Sequence, residues 1–464
     1  MRTKVIFLSL IISVTGVSAA NWPQFRGPQA AGVDSGKPAP LNWDVQKGED
    51  VLWRTPIPGL GHASPILWGE RIFVSTAVQA KKADLKVGLY GDIQPVENEG
   101  PQQWRLLALD KASGKILWNT LGHETSPQIS RHPKASHCNS TPATDGKRIV
   151  ALFGSEGLFC FGMNGKPQWH KSLGPMDSGY YIVPGAQWGF ASSPVIHDGK
   201  VVVLCDVQTN SFLAVFELKN GRELWRVPRK DVPTWGTPTV VKANNKTQIL
   251  VNGWRHSGAY DFVTGNEVWK LDGGGDIPVP TPIAGNRLAY FTSGHGRGGR
   301  PMRAIRLDAH GNITPSSTGA TNDSIAWVQP RSGNYMQTPI IVGSNLFACY
   351  DTGVLTCFDA KTGEIRYSER LGNGSEGFTS SPVSDGRHLY VASEVGNVYV
   401  VPVAGKFSIV ATNQLNETCM ATPMISEGRL YYRTQEQLLA LGEGKGARRS
   451  DVRKAGKGSE PSGR

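Results

Sequence analysis

The strongest constraint in this sequence is an eightfold repeat. A Ser-Pro or Thr-Pro dipeptide followed by a short run of β-forming residues recurs at intervals of 41 to 77 residues. Self-similarity with a period of this size is the signature of repeat architectures, and a bare unit of about 40 residues fits four short strands. The dipeptides begin at Ser64, Thr141, Ser193, Thr237, Thr281, Thr338, Ser381 and Thr422.

Each unit also carries a turn and an aromatic residue in a fixed order. Asp-x-x-x-Gly turns at 110–114, 261–265 and 359–363 join the third predicted strand to the fourth, because Asp bonds its own backbone and Gly accepts positive φ. An aromatic residue follows on the fourth strand, where we expect it to wedge between neighbouring sheets. These residues are Trp118, Trp169, Trp225, Trp269, Trp327 and Tyr367.

The two ends of the repeat region complete each other. The last unit supplies only three strands, up to Leu441, whereas Leu52, Trp53 and Arg54 lie before the first dipeptide as an orphan fourth strand. An N-terminal strand that pairs with the C-terminal blade closes the ring and removes exposed sheet edges. The sequence therefore predicts an all-β fold, an eight-bladed β-propeller of four-stranded antiparallel blades over residues 50–442.

Two of these motifs are specific enough to indicate a family. Leu109–Trp118 and Tyr260–Trp269 resemble the tryptophan-docking repeats of the pyrroloquinoline quinone (PQQ) propeller family. The run Asn21–Gly27 is similar to the start of secreted PQQ-binding-like propellers, which are related to the outer-membrane assembly propeller. The resemblance covers residues 50–442. It implies either a non-catalytic propeller that holds other proteins or a periplasmic quinoprotein oxidoreductase that uses PQQ and Ca²⁺ on an alcohol or a sugar.

The start of the chain points to export. Arg2 and Lys4, an apolar run over 5–14 and small residues before Asn21 are typical of a secretory signal peptide over residues 1–20. We therefore expect a periplasmic or secreted protein. Beyond the signal, no segment has the roughly 20 apolar residues that a membrane-spanning helix needs.

The charge of the chain argues against a nucleic-acid partner. The net charge is +11, but about half of it lies in the signal peptide and in the tail 443–464. Phosphate binding requires basic residues clustered on one face. The Gly-rich tail has no large apolar residue apart from Val452, so we expect it to be disordered. Residues 21–49 form an N-terminal extension, and we expect a monomer that binds a protein or peptide partner.

Six cysteines in an exported chain are too few to hold the fold by disulfide bonds. Most of them lie in β-forming runs, which favours buried free thiols. Cys349 and Cys357 flank one tight turn and are the most plausible pair.

Strand parity predicts which face carries the ligand site. If the first strand of each blade starts at the top near the axis, the second-to-third and fourth-to-first connections return to that face, where the long insertions lie. The candidate cofactor-binding residues on these connections are Asn139, Asp206, Arg229, Trp235 and His256. In the quinoprotein alternative, PQQ lies near Trp235 while Asn139 and Asp206 ligate a metal.

The residues before each dipeptide enter the top of the central channel, where they either plug it or surround a ligand. They are His62, Asn139, Ser192, Trp235, Tyr335, Gln337, Phe378 and Met420. A further possibility is a carbohydrate that stacks on Trp188, Trp235 and Trp254.

Signatures of catalysis are weak. The sequence has no Cys-Cys pair of the kind that quinoprotein dehydrogenases use, no Cys-x-x-Cys-His haem motif and no Gly-x-Ser-x-Gly. His123, His132, His137 and Cys138 fit no zinc spacing, and the Gly-rich run 293–300 lacks the Lys-Ser/Thr of a phosphate loop. The sequence therefore favours a binding role, assigns no metal site and identifies no catalytic residue.

Overall fold

The computed structural model describes residues 21–81, 84–88, 94–295, 299–317 and 319–443. The predicted signal peptide and all but the first residue of the predicted tail lie outside these ranges. The described chain consists of strands and two 3-10 turns, η1 (Pro28–Ala30) and η2 (Gly154–Glu156). It includes no helix of the length and hydropathy that a membrane crossing requires.

The strands are short and follow the predicted repeat. The first part of the chain contains β1 Val51–Pro56, β2 Ile66–Trp68, β3 Arg71–Val78, β4 Gln102–Asp110, β5 Ile116–Thr125, β6 Ala143–Thr144, β7 Arg148–Leu152, β8 Leu158–Gly162, β9 Pro167–Lys171, β10 Gly179–Tyr180, β11 Val183–Gln187, β12 Val195–His197, β13 Lys200–Cys205, β14 Phe212–Glu217, β15 Glu223–Pro228, β16 Thr239–Ala243, β17 Lys246–Val251, β18 His256–Asp261 and β19 Glu267–Asp272. The second part contains β20 Ile283–Gly285, β21 Leu288–Thr292, β22 Met302–Arg306, β23 Gly311–Asn312, β24 Ile325–Gln329, β25 Ile340–Val342, β26 Asn345–Cys349, β27 Val354–Asp359, β28 Ile365–Arg370, β29 Val383–Ser384, β30 His388–Ala392, β31 Asn397–Pro402, β32 Ala411–Gln414, β33 Met424–Ser426, β34 Arg429–Arg433 and β35 Gln437–Leu441.

These strands form the predicted eight-bladed propeller. In chain order, blades 1 to 7 are β2–β5, β6–β9, β12–β15, β16–β19, β20–β22 with β24, β25–β28 and β29–β32. The short strand β23 adds to the outer edge of blade 4, and β10 pairs with β11 as a separate hairpin between blades 2 and 3. Each blade is antiparallel, apart from the parallel β19–β23 contact.

The predicted closure of the ring is confirmed. Blade 8 has the strand order β1-β35-β34-β33, so an N-terminal strand completes a C-terminal sheet. Trp53 of β1 lies opposite Ala440, and its indole N–H donates to the carbonyl O of Lys111 in blade 1 (3.0 Å). The buried ammonium of Lys111 in turn contacts Glu427 of blade 8 (2.6 Å). Closure therefore joins blade 8 both to the chain's start and to blade 1.

The aromatic residues of the outer strands dock on the next blade. The indole N–H of Trp225 donates to the carbonyl O of Phe262 (3.2 Å), and the ring covers Gly265 of that turn. Gly265 has φ +75°, and a Cβ there would lie 2.8 Å from the indole. A bulky flat ring thus fills the wedge between two twisted sheets. The same pairing occurs at Trp53 with Gly114, Trp118 with Gly165, Trp169 with Gly221 and Trp327 with Gly363.

The Ser or Thr of each repeat dipeptide links the blades around the axis, and we call this ring the hydroxyl belt. The N–H of Ser193 donates to the hydroxyl O of Thr237 (3.1 Å), and the N–H of Thr237 donates to the hydroxyl O of Thr281 (3.2 Å). Seven described junctions repeat this bond. At the junction of blade 8 with blade 1, the buried hydroxyl of Ser64 has no described partner. Proline can follow each belt residue because the bond uses the N–H of Ser or Thr.

The N-terminal extension crosses the bottom of the propeller. The backbone of Trp22 pairs with Leu67 of blade 1, and the carbonyl O of Pro23 accepts from Thr144 of blade 2 (2.8 Å). The buried guanidinium of Arg26 then donates to carbonyl oxygens of blades 6 and 7. Because this one segment touches opposite blades, it closes the lower end of the channel.

All six cysteines are buried free thiols, as the sequence favoured. The pair suggested for Cys349 and Cys357 is not formed. They lie on neighbouring strands, but Cys349 is opposite Leu355 and Cys357 is opposite Phe347. This register offsets the two thiols along the sheet.

Candidate functional site

A cavity of about 910 Å³ occupies the channel above the N-terminal segment. Phe25 lines it, and the remaining lining comes from the belt residues and the top-face connections. We call this cavity the cup. The predicted channel residues do not fill it, since His62, Asn139, Trp235, Tyr335, Phe378 and Met420 form its wall instead. Ser192 and Gln337 are buried, and the amide of Gln337 donates to the carbonyl O of Phe378.

One side of the cup is aromatic. The β10–β11 hairpin and the loop after it bring Tyr180 and Trp188 into parallel stacking, with ring centroids 5.2 Å apart. Trp188 in turn packs against Trp235, at 5.4 Å. The indole N–H of Trp235 donates to the carbonyl O of Gly189 (2.9 Å), which holds the ring in place. We call Tyr180, Trp188 and Trp235 the aromatic wall, in which Trp188 and Trp235 line the cup and Tyr180 stacks on Trp188.

The same hairpin extends this apolar surface outwards. Tyr181 packs on Trp254 at 4.9 Å and donates its hydroxyl to Asp276 (2.7 Å). Burial, together with this carboxylate, raises the pKa of Tyr181, so its phenol remains protonated. The hairpin tip exposes Ile182 (52 %) and Val183 (43 %). Exposed apolar side chains at a hairpin tip are suited to contact with a partner.

Another part of the cup lining carries an ion pair. The ammonium of Lys134 lies 2.8 Å from the carboxylate of Glu394, which is almost fully buried. Glu394 also accepts from the hydroxyl of Thr379 (2.6 Å) and from the N–H of Gly88 (2.7 Å). Gly88 belongs to the insertion of blade 1, whereas Glu394 belongs to blade 7. The insertion therefore reaches across the top face and is fastened there.

His62 is held as a neutral side chain at the edge of the cup. Burial lowers its pKa to about 3, and the nearby Arg433 and Arg131 add to this effect. Its Nε2 lies 3.0 Å from the carbonyl O of Lys134, so this nitrogen carries the proton and donates. A general base that works near pH 7 is most effective when its pKa is close to that pH. The pKa of His62 is far below it.

Arg300 and Arg331 line the cup at blades 5 and 6, and both side chains are exposed. Beside them, the ring of His295 stacks on Tyr335 with centroids 4.5 Å apart. Burial lowers the pKa of His295, so this stacked imidazole is mainly neutral near pH 7. This side of the cup thus combines cations with flat rings.

Two of the five predicted site residues, Asn139 and Trp235, line the cup. The side-chain oxygen of Asn139 accepts from the N–H (3.0 Å) and hydroxyl (2.8 Å) of Ser136. Its NH₂ group donates to the carbonyl O of Phe190 (3.2 Å). The amide therefore holds two top-face loops together, and both of its ends are bonded.

The other three predicted residues form a separate cluster, in which Asp206 and Arg229 are buried and His256 is partly exposed. Arg229 donates to the carboxylate of Asp206 (2.8 Å), to the hydroxyl of Tyr260 (2.7 Å) and to the carbonyl O of His256 (2.8 Å). Burial raises the pKa of Asp206, and the adjacent Arg229 opposes the shift. The imidazole of His256 lies 2.5 Å from Glu267. None of the three lines the cup.

This cluster still bears on the site through one bond. The other oxygen of Asp206 accepts from the hydroxyl of Thr234 (3.1 Å), and Thr234 precedes Trp235. The buried ion pair thus supports the loop that carries part of the aromatic wall.

Five further residues line the cup and are not among the predicted site residues, namely Phe25, Lys134, Glu394, Arg300 and Arg331. Glu394 and Lys134 lie on a second-to-third and a fourth-to-first connection, so strand parity assigns both to the top face. That signal was available and could have found them. Nothing in the sequence places Phe25 under the channel.

A quinone ring and its metal fit this site unequally. A flat ring is compatible with the aromatic wall, because aromatic surfaces stack. The metal is not, since Asn139 and Asp206 lie in separate networks and their oxygens already accept bonds. Within the described ranges, no group of three or more His, Cys, Asp or Glu side chains could hold a metal ion. These residues do not assemble a calcium site.

Comparison with protein families gives a match along most of the chain. The family described as "Outer membrane protein assembly factor BamB" matches residues 33–229, 164–404 and 351–449. A tetrathionate hydrolase of Acidithiobacillus ferrooxidans is 25 % identical over 199 residues, which are 41 % of this chain and 38 % of that protein. The chain therefore matches well under half of the length of this relative.

Solved structures with similar folds come from both functional classes. BamB from Moraxella catarrhalis has a TM-score of 0.52 and 15 % identity, over 81 % of this chain and 100 % of that chain. A europium-containing methanol dehydrogenase has 0.59 and 12 %, over 90 % of each chain. Quinohemoprotein alcohol dehydrogenase from Comamonas testosteroni has 0.59 and 11 %, over 96 % and 84 %. At such identities the likeness establishes the propeller fold alone.

Proposed function

Because the chain belongs to the PQQ-like propeller family described as outer membrane protein assembly factor BamB, we propose that it is an exported, non-catalytic binding propeller. A protein segment or another ligand docks on its loop-rich face and enters the cup. Export is supported by the signal-like residues 1–20.

The observation that carries this proposal is the cup itself. A cavity of about 910 Å³ lies in the range of ligand pockets in proteins, and its lower end is closed. Its aromatic wall offers large rigid surfaces of the kind that anchor binding partners. The exposed Ile182 and Val183 continue that surface beyond the rim. A rigid concave site beside an apolar rim suits recognition of a partner segment.

The chemistry of the wall supports binding rather than turnover. Lys134 and Glu394 neutralise each other, and Glu394 is further fixed by Thr379 and Gly88. His62 has a pKa of about 3 and its proton-bearing nitrogen faces a carbonyl. A general base needs a pKa near the working pH and a free nitrogen. These groups therefore shape the binding site, and we propose that they catalyse no reaction of the ligand.

The second candidate, a PQQ-dependent oxidoreductase, is favoured by one observation. Trp188 and Trp235 line a cavity that can admit a planar ring. When bound, PQQ would supply the two-electron oxidation of an alcohol or a sugar. The missing metal site weighs against this candidate.

A titration separates the two candidates. The mature protein is titrated with PQQ and Ca²⁺ while tryptophan fluorescence and dye-linked oxidation of alcohols and sugars are followed. We expect no turnover and no Ca²⁺ dependence of the fluorescence. Saturable quenching with turnover that Trp235→Ala abolishes would overturn the binding proposal in favour of the enzyme.

Site-specific photocrosslinking tests the binding face directly. A photoreactive amino acid replaces Ile182 at the hairpin tip or, as the matched control, Val263 in the third-to-fourth turn of blade 4, which is 70 % exposed. In intact cells we expect a discrete crosslinked protein band from position 182 and none from position 263. Identical patterns from both positions would contradict docking on the top face.

A further inference from the structure

Four arginine side chains surround the cup without a salt bridge to any described carboxylate. Arg300 and Arg331 are exposed in its lining, and their loops pack together because the N–H of Gly333 donates to the carbonyl O of Arg300 (2.7 Å). Arg26 lies below the floor and Arg433 lies beside His62 behind the wall. Both of the latter are fully buried.

Arg433 is a buried cation without a salt bridge to a described carboxylate, although the nearby Glu417 raises its pKa. Its Nη1 donates to the carbonyl oxygens of Thr434 (3.0 Å) and Gln437 (3.5 Å), while Nε and Nη2 are buried without a described partner. Burial lowers its pKa only to about 10, so it is charged at neutral pH. Burial raises the pKa of the neighbouring Cys138 and Cys419 thiols to about 12, so neither supplies a negative charge.

Arg26 is a second cation of this kind. Its guanidinium donates to the carbonyl oxygens of Pro382 (2.9 Å) and Pro339 (3.0 Å), and Nε donates to its own loop at Ala30 (3.2 Å). Burial lowers its pKa to about 9, which keeps it charged. Carbonyl dipoles solvate this charge, and no carboxylate cancels it. The preceding residue, Phe25, lines the cup.

The acids of the cup do not balance these arginines. Two carboxylates line it, those of Asp351 and Glu394. Glu394 is neutralised by Lys134 at 2.8 Å. Asp351 is then the one lining carboxylate left to balance Arg300 and Arg331. Arg26 adds its charge from below the floor, while the nearby Glu417 offsets part of the charge of Arg433. Since walls of low dielectric strengthen such a field, the potential inside the cup is positive.

We propose that the cup selects a ligand in which a carboxylate lies next to a flat or apolar group. This inference rests on the proposed binding function and names the chemistry of what is bound. The apolar part packs on the aromatic wall, and the carboxylate faces Arg300 and Arg331, whose planar forks suit bidentate recognition. Arg26 and Arg433 contribute through their field.

Matched ligands test the charge selectivity. Naphthalene-2-carboxylate and naphthalene-2-carboxamide are titrated calorimetrically into the mature protein at low and high salt. A second arm uses acetyl-Glu-Phe-Glu-amide against acetyl-Gln-Phe-Gln-amide. At low salt we expect each acid to bind at least about tenfold more tightly than its amide, and added salt to narrow the gap by screening. A larger difference in affinity between acid and amide in the naphthalene pair would indicate a free aromatic acid as the ligand. A larger difference in the peptide pair would indicate an acidic protein segment.

Variants assign the effect to the cup. The double variant Arg300→Gln with Arg331→Gln changes exposed side chains and should reduce the acid-over-amide preference to about twofold. The matched control, Lys242→Gln with Lys246→Gln, removes two exposed charges from the first hairpin of blade 4 and should leave the preference intact. Equal binding of acids and amides would overturn the charge inference while leaving the cup as a binding site. No binding of any probe to a folded protein would count against the proposed function itself.

Discussion

Gly265 and Trp225 illustrate how one turn joins two blades. Gly265 closes the Asp-x-x-x-Gly turn at φ +75°, and the indole of Trp225 from the preceding blade lies over it. The N–H of Trp225 then donates to the carbonyl O of Phe262 in the same turn. Glycine is required twice, once for the backbone angle and once for the space under the ring.

Replacing Gly265 should therefore destabilise the protein by more than the backbone strain of a positive φ alone. We expect Gly265→Ala to lower the free energy of unfolding by about 2–4 kcal/mol, because a left-handed L-residue costs about 1–2 kcal/mol and the Cβ adds a clash with Trp225. Gly199→Ala is the control, since φ is +66° there and a Cβ meets nothing within 4 Å. Urea denaturation measures both. Equal losses would refute the docking contribution.

At the scale of elements, the hydroxyl belt sets the spacing of the blades. Thr237 both accepts from Ser193 of the preceding blade and donates its N–H to Thr281 of the next. At seven described junctions such a bond satisfies the N–H of the belt residue that lies just before the first strand of a blade. Ser64 departs from this pattern, because its hydroxyl accepts no described bond.

This difference supplies a matched pair of substitutions. Thr237→Val leaves the N–H of Ser193 buried without an acceptor, so we expect a loss of about 1–3 kcal/mol in the free energy of unfolding. Ser64→Ala removes a hydroxyl that no described donor uses, so we expect a loss below about 0.5 kcal/mol. Chemical denaturation of both variants distinguishes them. Similar free energies of unfolding for the Thr237→Val and Ser64→Ala variants would show that the hydroxyl belt does not stabilise the protein.

At the scale of the whole molecule, the N-terminal region closes both the ring of blades and the lower end of the central channel. β1 completes blade 8, and the segment with Phe25 and Arg26 turns the open channel into a blind cup. Removing β1 would expose the edge of β35, whose side chains are largely buried. Closure of the ring and closure of the cup thus depend on the same 36 residues, 21–56.

A pair of truncations tests this dependence. We expect a chain that begins at Ile57 to aggregate or to lose cooperative thermal unfolding, because an unpaired apolar edge remains. A chain that ends at Glu443 should keep the melting temperature of the mature protein. Circular dichroism and light scattering on heating provide the readout. An Ile57 chain that melts like the mature protein would refute the role of β1.

Of the five candidate site residues named from the sequence, two line the cup and three lie outside it. Asn139 and Trp235 precede belt residues by two, and this register directs them to the channel. Asp206, Arg229 and His256 lie on top-face connections too, yet they form a cluster beside the cup. Parity assigns a residue to a face. Blade twist and loop packing decide whether its side chain points to the axis or between blades.

What the sequence determined by itself is local and repetitive. The eight dipeptides, the Asp-x-x-x-Gly turns and the docking tryptophans each act between neighbours in the chain or between adjacent blades, so a fixed period suffices to predict the propeller and its closure. The cup was decided only by tertiary structure. Arg26 meets blades 6 and 7 more than 300 residues further along the chain, and Glu394 meets Gly88 across the top face. Such contacts have no period, because they arise once, when the closed ring brings distant loops together.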